Sequence, residues 1–366
     1  MNQSRGDFQP RVWVLMSPRA GDNTQLVALA EALGLPFELK RMAYRRAEWL
    51  ARIPLGATLI GVDRTRSTSL EAPYPDIIFA AGRATEGVAF WIRGHLNPAV
   101  RLVYLGTPWA RLDRFDLVIT TPQYRLPVRS NVLHNALPLH GISPERLATA
   151  AQQWAPQLAS LPEPRIAVLV GGRSGPYVFG PDSAARLAHE ASDRARSLGG
   201  SLLITTSPRT SEAAAEALFK GLTVPAYCHR WQAGEAANPL HAYLALASEI
   251  IVTADSISMI TEACATGKPT YLFDIETGTR TMRDCRTSGQ PYLHWKGADF
   301  TSTLWRLGLL FGPDWWTRDI RIVHRALVAS GRVAWLGEGT PQSTADSARQ
   351  DMDRAIMEIK NLLRIT

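Results

Sequence analysis

Residues 250–274, IIVTADSISMITEACATGKPTYLFD, constrain the fold more than any other part of the chain. A β-branched run, Ile250, Ile251, Val252 and Thr253, is cut by Ala254-Asp255-Ser256. An amphipathic stretch follows and stops at Gly267-Lys268-Pro269, before a second apolar run from Thr270 to Phe273. Strand, polar turn, helix, Gly-Pro stop and strand make one βαβ unit, complete with its turn chemistry.

The same alternation recurs along the chain. Val12 to Met16 reads as a strand and Asn23 to Leu33 as a helix stopped by Gly34. Strands at Ile77 to Ala80, Arg101 to Leu105 and Leu117 to Thr120 follow, with a helix around Ala84 to Arg93. After a helix from Pro144 to about Leu158, Pro162 and Pro164 disfavour regular structure and mark a linker. The pattern then restarts with a strand at Ile166 to Val170, a helix at Asp182 to Leu198 and a strand at Ser201 to Thr205. Repeated β-then-α signals predict an α/β protein with two doubly wound domains facing across a cleft. The expected boundaries are 1–160, 161–340, and a closing helical segment 341–366 that crosses back to the first domain. In that segment Ala345, Ala348, Met352, Ala355, Ile356, Ile359 and Leu363 recur at helical spacing.

A chain of 366 residues, 46% hydrophobic and 20% charged, suits two globular domains. No apolar run approaches the ~20 residues that span a bilayer, and the apolar start is too short for a signal peptide. A cytoplasmic protein is expected. Cys228, Cys264 and Cys285 have no metal spacing and imply free thiols. The net charge of +7 comes mostly from scattered arginines, without a nucleic-acid module. It fits an anionic substrate or an anionic membrane face better. His95, His134, His140, His229 and His241 lack ligand spacing, so no metal site is expected.

The candidate loops all lie after predicted strands. Gly21, Asp22, Asn23 and Gln25 open the first helix, where Asp22 and Gln25 have capping-box spacing and Asp22 or Asn23 can also face a cleft. Arg83, at a strand end, suits a phosphate or carboxylate. Gly171, Gly172 and Arg173 form a glycine-bearing strand-to-helix loop that permits close approach to a diphosphate, or simply a turn. Ser207, Arg209 and Thr210 follow another strand, and capping by either hydroxyl is the plain alternative. Asp255, Ser256, Ser258 and Met259 stand at a helix start whose N–H groups favour an anion. Glu262, one turn on, is placed to accept both hydroxyls of a ribose.

The motifs GDN-x-Q at Gly21 to Gln25, TPQYRLP at Thr121 to Pro127, TTSPRT at Thr205 to Thr210 and TADSISMITEACATGKP at Thr253 to Pro269 resemble the mitochondrial-fission "elongated mitochondria" family. The resemblance runs from about residue 11 to 340. Bacterial homologues are commonly regarded as glycosyltransferases, whereas plant members are adaptors that recruit a dynamin-related protein to mitochondria. More distantly the chain is similar to GT-B glycosyltransferases that use UDP-sugars on lipid-linked acceptors. That likeness implies a GT-B-like, metal-independent glycosyltransferase without cofactor, its UDP-sugar held by the second domain. Glu262 would hold the ribose, Gly171, Gly172 and Arg173 would lie near the diphosphate, and Asp22 would act as the base. Gly21, Asn23, Gln25 and Arg83 would face the acceptor. Trp91, Arg93, Trp109 and Arg111 suggest a lipid-linked acceptor and peripheral contact with the inner membrane. The alternatives are a non-catalytic adaptor and a UDP-sugar 2-epimerase.

Overall fold

Period-two burial builds the first sheet. On β1 (Val12–Met16), Val12 and Val14 enter one core while Trp13 and Leu15 enter another. The neighbouring strand Ile77–Ala81 splits in the same way, Ile77 and Phe79 against Ile78 and Ala80. A sheet buried on both faces needs continuous apolar strands, and a parallel one supplies them. The computed structural model describes residues 9–44, 56–234, 238–277, 281–283, 307, 311, 318–342 and 346–365.

Those residues form two compact units, one of Met1–Gly141 with Arg349–Thr366 and one of Ile142–Ala348. In the first unit β1 is followed by α1 (Ala20–Leu33), β2 (Phe37–Arg41), β3 (Ile77–Ala81), α2 (Arg83–His95), β4 (Arg101–Leu105), β5 (Leu117–Thr120) and β6 (Val132–His134). The sheet order is β2-β1-β3-β4-β5-β6, all parallel. Leu26 and Leu29 of α1 cover one face together with Ala355 and Ile359 of the C-terminal helix Asp346–Leu363. Val88, Phe90 and Ile92 of α2 cover the other. Asp351 ties the C-terminal helix down, accepting the N–H groups of Ala136 at 2.8 Å and Leu137 at 3.1 Å.

The second unit runs α3 (Pro144–Leu158), β7 (Arg165–Leu169), the hairpin β8 (Arg173–Ser174) and β9 (Tyr177–Val178), α4 (Pro181–Ser197), β10 (Ser201–Thr205), α5 (Glu212–Lys220), β11 (Ala226–His229), α6 (Leu240–Leu246), β12 (Glu249–Thr253), α7 (Ile257–Ala265), β13 (Thr270–Phe273), α8 (Arg321–Ala329) and β14 (Ala334–Trp335). Its sheet order is β11-β10-β7-β12-β13-β14, again all parallel. Both units are therefore doubly wound, and the expected α/β class holds. The second unit begins at Ile142 rather than near 161, because α3 packs on α6.

Several short elements escaped the sequence reading, among them β2, β6 and β11, which are brief and partly polar, and β14, which has two residues. Helix α1 starts at Ala20, three residues before Asn23. Ser343 and Cys285 lie outside the described residues.

Candidate functional site

Each sheet has one place where the winding reverses, and ligands of open α/β sheets bind outside the strand ends there. In the second unit that place lies between β7 and β12, in the first between β1 and β3. The loops singled out in the sequence sit at those points.

At the β7–β12 reversal the chain's own atoms fill the glycine loop. Thr253 Oγ1 accepts the Gly171 N–H at 2.7 Å, and Asp255 Oδ2 accepts the Gly172 N–H at 2.9 Å. The Gly171 carbonyl accepts both Ser207 Oγ, at 2.7 Å, and Thr210 Oγ1. A Cβ on Gly171 would stand 2.4 Å from Asp255 Oδ2, and one on Gly172 1.9 Å from the Arg209 carbonyl oxygen. Close packing of three loops thus explains the glycines without a ligand. Nor does the loop lead straight into a helix, because the β8–β9 hairpin intervenes before α4. Arg173 lies exposed on that hairpin.

Arg209 latches this junction, donating from Nη1 to the Arg173 carbonyl at 2.8 Å and to Asp255 Oδ2 at 3.1 Å. Burial pushes the Asp255 carboxyl upward, while Arg209 and the Gly172 N–H pull it down. Ser207 and Thr210 do not cap α5; Ser211 does, accepting the Ala214 N–H at 3.3 Å.

Beside this junction α7 begins. Ser256 is buried at its start and its side chain makes no cap hydrogen bond, which leaves the first-turn N–H groups without a side-chain acceptor. Ser258 and Met259 are half-buried on that turn. Glu262 is half-buried with no hydrogen-bond partner among the described residues, and burial raises its carboxyl to about 7. Behind the turn lies His324 of α8, which the sequence reading missed. It is buried edge-on to Trp335 at 5.7 Å, and burial lowers its pKa to about 4. One histidine within an amphipathic helix gave no signal.

At the β1–β3 reversal Asn23 grips the turn after β1, accepting the Ser17 N–H at 2.7 Å and donating to the Ser17 carbonyl at 2.9 Å. Ser17 Oγ donates to Asp22 Oδ2 at 3.0 Å. The capping box expected of Asp22 and Gln25 is absent, since the N-cap is Arg19, and Gln25 donates instead to the Gly21 carbonyl at 3.2 Å. Gly82, with φ 77°, lets this cluster close; a Cβ there would lie 2.8 Å from Ser17 Oγ and 3.0 Å from Asp22 Oδ2. Arg83 stacks 3.8 Å over the Trp109 ring centre. Glu86, also missed from the sequence, is buried and accepts from Tyr104 Oη at 3.0 Å, Trp109 N at 2.9 Å and Ala110 N at 3.0 Å.

Two Rossmann-like units, each with its polar cluster at a winding reversal, define an α/β protein of the GT-B-like class. The sequence profile of the family "Mitochondrial fission ELM1" matches residues 20–288, and the chain belongs to that family. It is 29% identical over 278 residues to the mitochondrial fission protein ELM1 of Arabidopsis thaliana, a match covering 70% of this chain and 61% of the plant protein. The chain thus spans about three fifths of that relative. It is 23% identical over 300 residues to the uncharacterized protein RP120 of Rickettsia prowazekii, covering 72% and 82% of the two chains. Among solved structures, UDP-GlcNAc 2-epimerase from Neisseria meningitidis bound to UDP-GlcNAc aligns over 97% of this chain and 100% of its own, with TM-score 0.52 and 10% identity. At that identity the likeness is one of fold.

Proposed function

We propose that the second unit binds a nucleoside-diphosphate sugar, a UDP-sugar in preference, and that the chain transfers the sugar to an acceptor held by the first unit. One observation carries the reading: α7 begins at the winding reversal without a side-chain cap, and the half-buried Glu262 on its next turn has no hydrogen-bond partner among the described residues. First-turn N–H groups would take the diphosphate through hydrogen bonds and the helix dipole. Glu262 would accept the ribose hydroxyls. Arg209, whose side chain is 38% exposed on its latch, would meet negative charge on the leaving group. Asp22 would take the proton of the acceptor hydroxyl as that oxygen attacks the anomeric carbon, and the bonding electrons would leave with the diphosphate. Gly171 and Gly172 shape the floor of this site, their N–H groups already engaged.

That engagement favours a second reading, a non-catalytic adaptor that keeps the fold. Titration calorimetry with UDP, UDP-GlcNAc and GDP separates the two. The transferase reading expects UDP binding that falls about tenfold to a hundredfold in Glu262→Ala, the loss of hydrogen bonds to a charged group. Unchanged UDP affinity in that variant would sink the ribose assignment. No binding of any of the three would favour the adaptor, and interconversion of the sugar without UDP release would favour an epimerase.

A further inference from the structure

Guanidinium–ring pairs border helix α2. Arg114 lies 3.7 Å from the Phe90 ring centre, Arg83 3.8 Å from that of Trp109, and Arg64 5.9 Å from that of Trp91. Contacts make the surface continuous. Arg93 donates to the Arg114 carbonyl at 2.9 Å and to Asp116, and Arg101 reaches the same carboxylate at 2.9 Å. Asn131 donates to the carbonyls of Leu112 at 2.8 Å and Phe115 at 3.0 Å, which sets the loop before it against residues 111–115. Apolar side chains stand out among the cations: Val128 is 89% exposed and Trp109 43%, beside an Arg111 side chain 85% exposed. Residues 83–131 hold seven arginines against three acids; Glu86 is buried, Asp113 pairs with Arg111 at 2.5 Å and Asp116 with Arg93 and Arg101, which still leaves an excess of positive charge.

We infer that this face of the first unit docks on an anionic lipid surface. Arginines meet headgroup phosphates while the two exposed apolar side chains enter the headgroup layer. Single-stranded nucleic acid fits less well, because Phe90 is buried and a guanidinium already covers the Trp109 ring on which a base would stack. No helix among the described residues is long and apolar enough to cross a membrane, so the contact is peripheral. The inference goes beyond the donor site and does not depend on it.

Vesicle flotation of the full chain tests it, with phosphatidylcholine vesicles carrying either no phosphatidylglycerol or about 30% of it. The wild type is expected to float with the anionic vesicles only, and to be released as salt screens the contact. Arg111→Ala with Arg129→Ala should weaken partition about thirtyfold, from roughly 1 kcal/mol per arginine. Val128→Asp should weaken it by a smaller factor. Unchanged melting by circular dichroism would show that the variants fold. Absence of wild-type flotation, equal flotation with neutral vesicles, or full binding by the double variant would overturn the proposal. So would retention of the wild type by a single-stranded oligonucleotide without vesicle binding.

Discussion

Glu86 and Glu262 occupy similar places, each near the start of a helix that follows the strand across the winding reversal of its own sheet. Burial raises both carboxyls, yet their surroundings differ. Three donors converge on Glu86 and fix the loop that carries Trp109. None among the described residues serves Glu262. A raised pKa therefore does not separate a structural acid from a functional one. The count of donors among the described residues does, because a half-buried carboxylate without them costs stability that a ligand donating to it can return.

The sharpest way to break this comparison is to make one substitution at both sites. Glu86→Gln should destabilise the first unit by about 2 kcal/mol, since its carbonyl oxygen can keep the Tyr104 and Trp109 donors but the amide NH2 would then face the N–H group of Ala110. Urea denaturation at pH 7 measures it, and a change below ~1 kcal/mol would mean the loop can do without its anchor.

Glu262→Gln should act in the opposite direction. The carboxyl titrates near 7 in the fold against 4.5 as its ordinary value. Between those values the folded chain holds the extra proton more tightly, so stability falls as pH rises and the full cost is present above pH 7. The shift corresponds to about 3 kcal/mol, an upper bound that partial hydration reduces. The amide variant should melt higher than wild type at pH 8, and the gap should close near pH 4.5. A gap that does not change with pH would show that Glu262 has protein partners after all.

Much of this was legible beforehand. Continuous apolar strands and Gly or Pro stops gave both sheets, and the polar turns marked the strand ends where the candidate loops lie. Glu262 was legible as well, because Ile257, Ile260 and Cys264 beside it implied a half-buried face. Glu86 was not, since its donors lie more than fifteen residues away on β4 and the loop after it. Nor was the self-filling of the glycine loop: Gly171 meets Asp255 only because β7 and β12 are neighbours in space. Pairing across the sheet, not local pattern, decided both.

The smallest expected change in stability tests Asp22, an acid at the first unit's winding reversal. Asp22 accepts Ser17 Oγ at 3.0 Å and is half-buried, so an asparagine can keep that hydrogen bond with its carbonyl oxygen. Asp22→Asn should therefore shift unfolding by less than about 1 kcal/mol. If Asp22 is the base, sugar transfer should fall by about a hundredfold to ten-thousandfold, the usual worth of general-base catalysis. UDP affinity should stay at the wild-type value, since the donor reading places the nucleotide on the second unit. Transfer at the wild-type rate would remove Asp22 from the chemistry and leave it, like Glu86, an acid that serves structure alone.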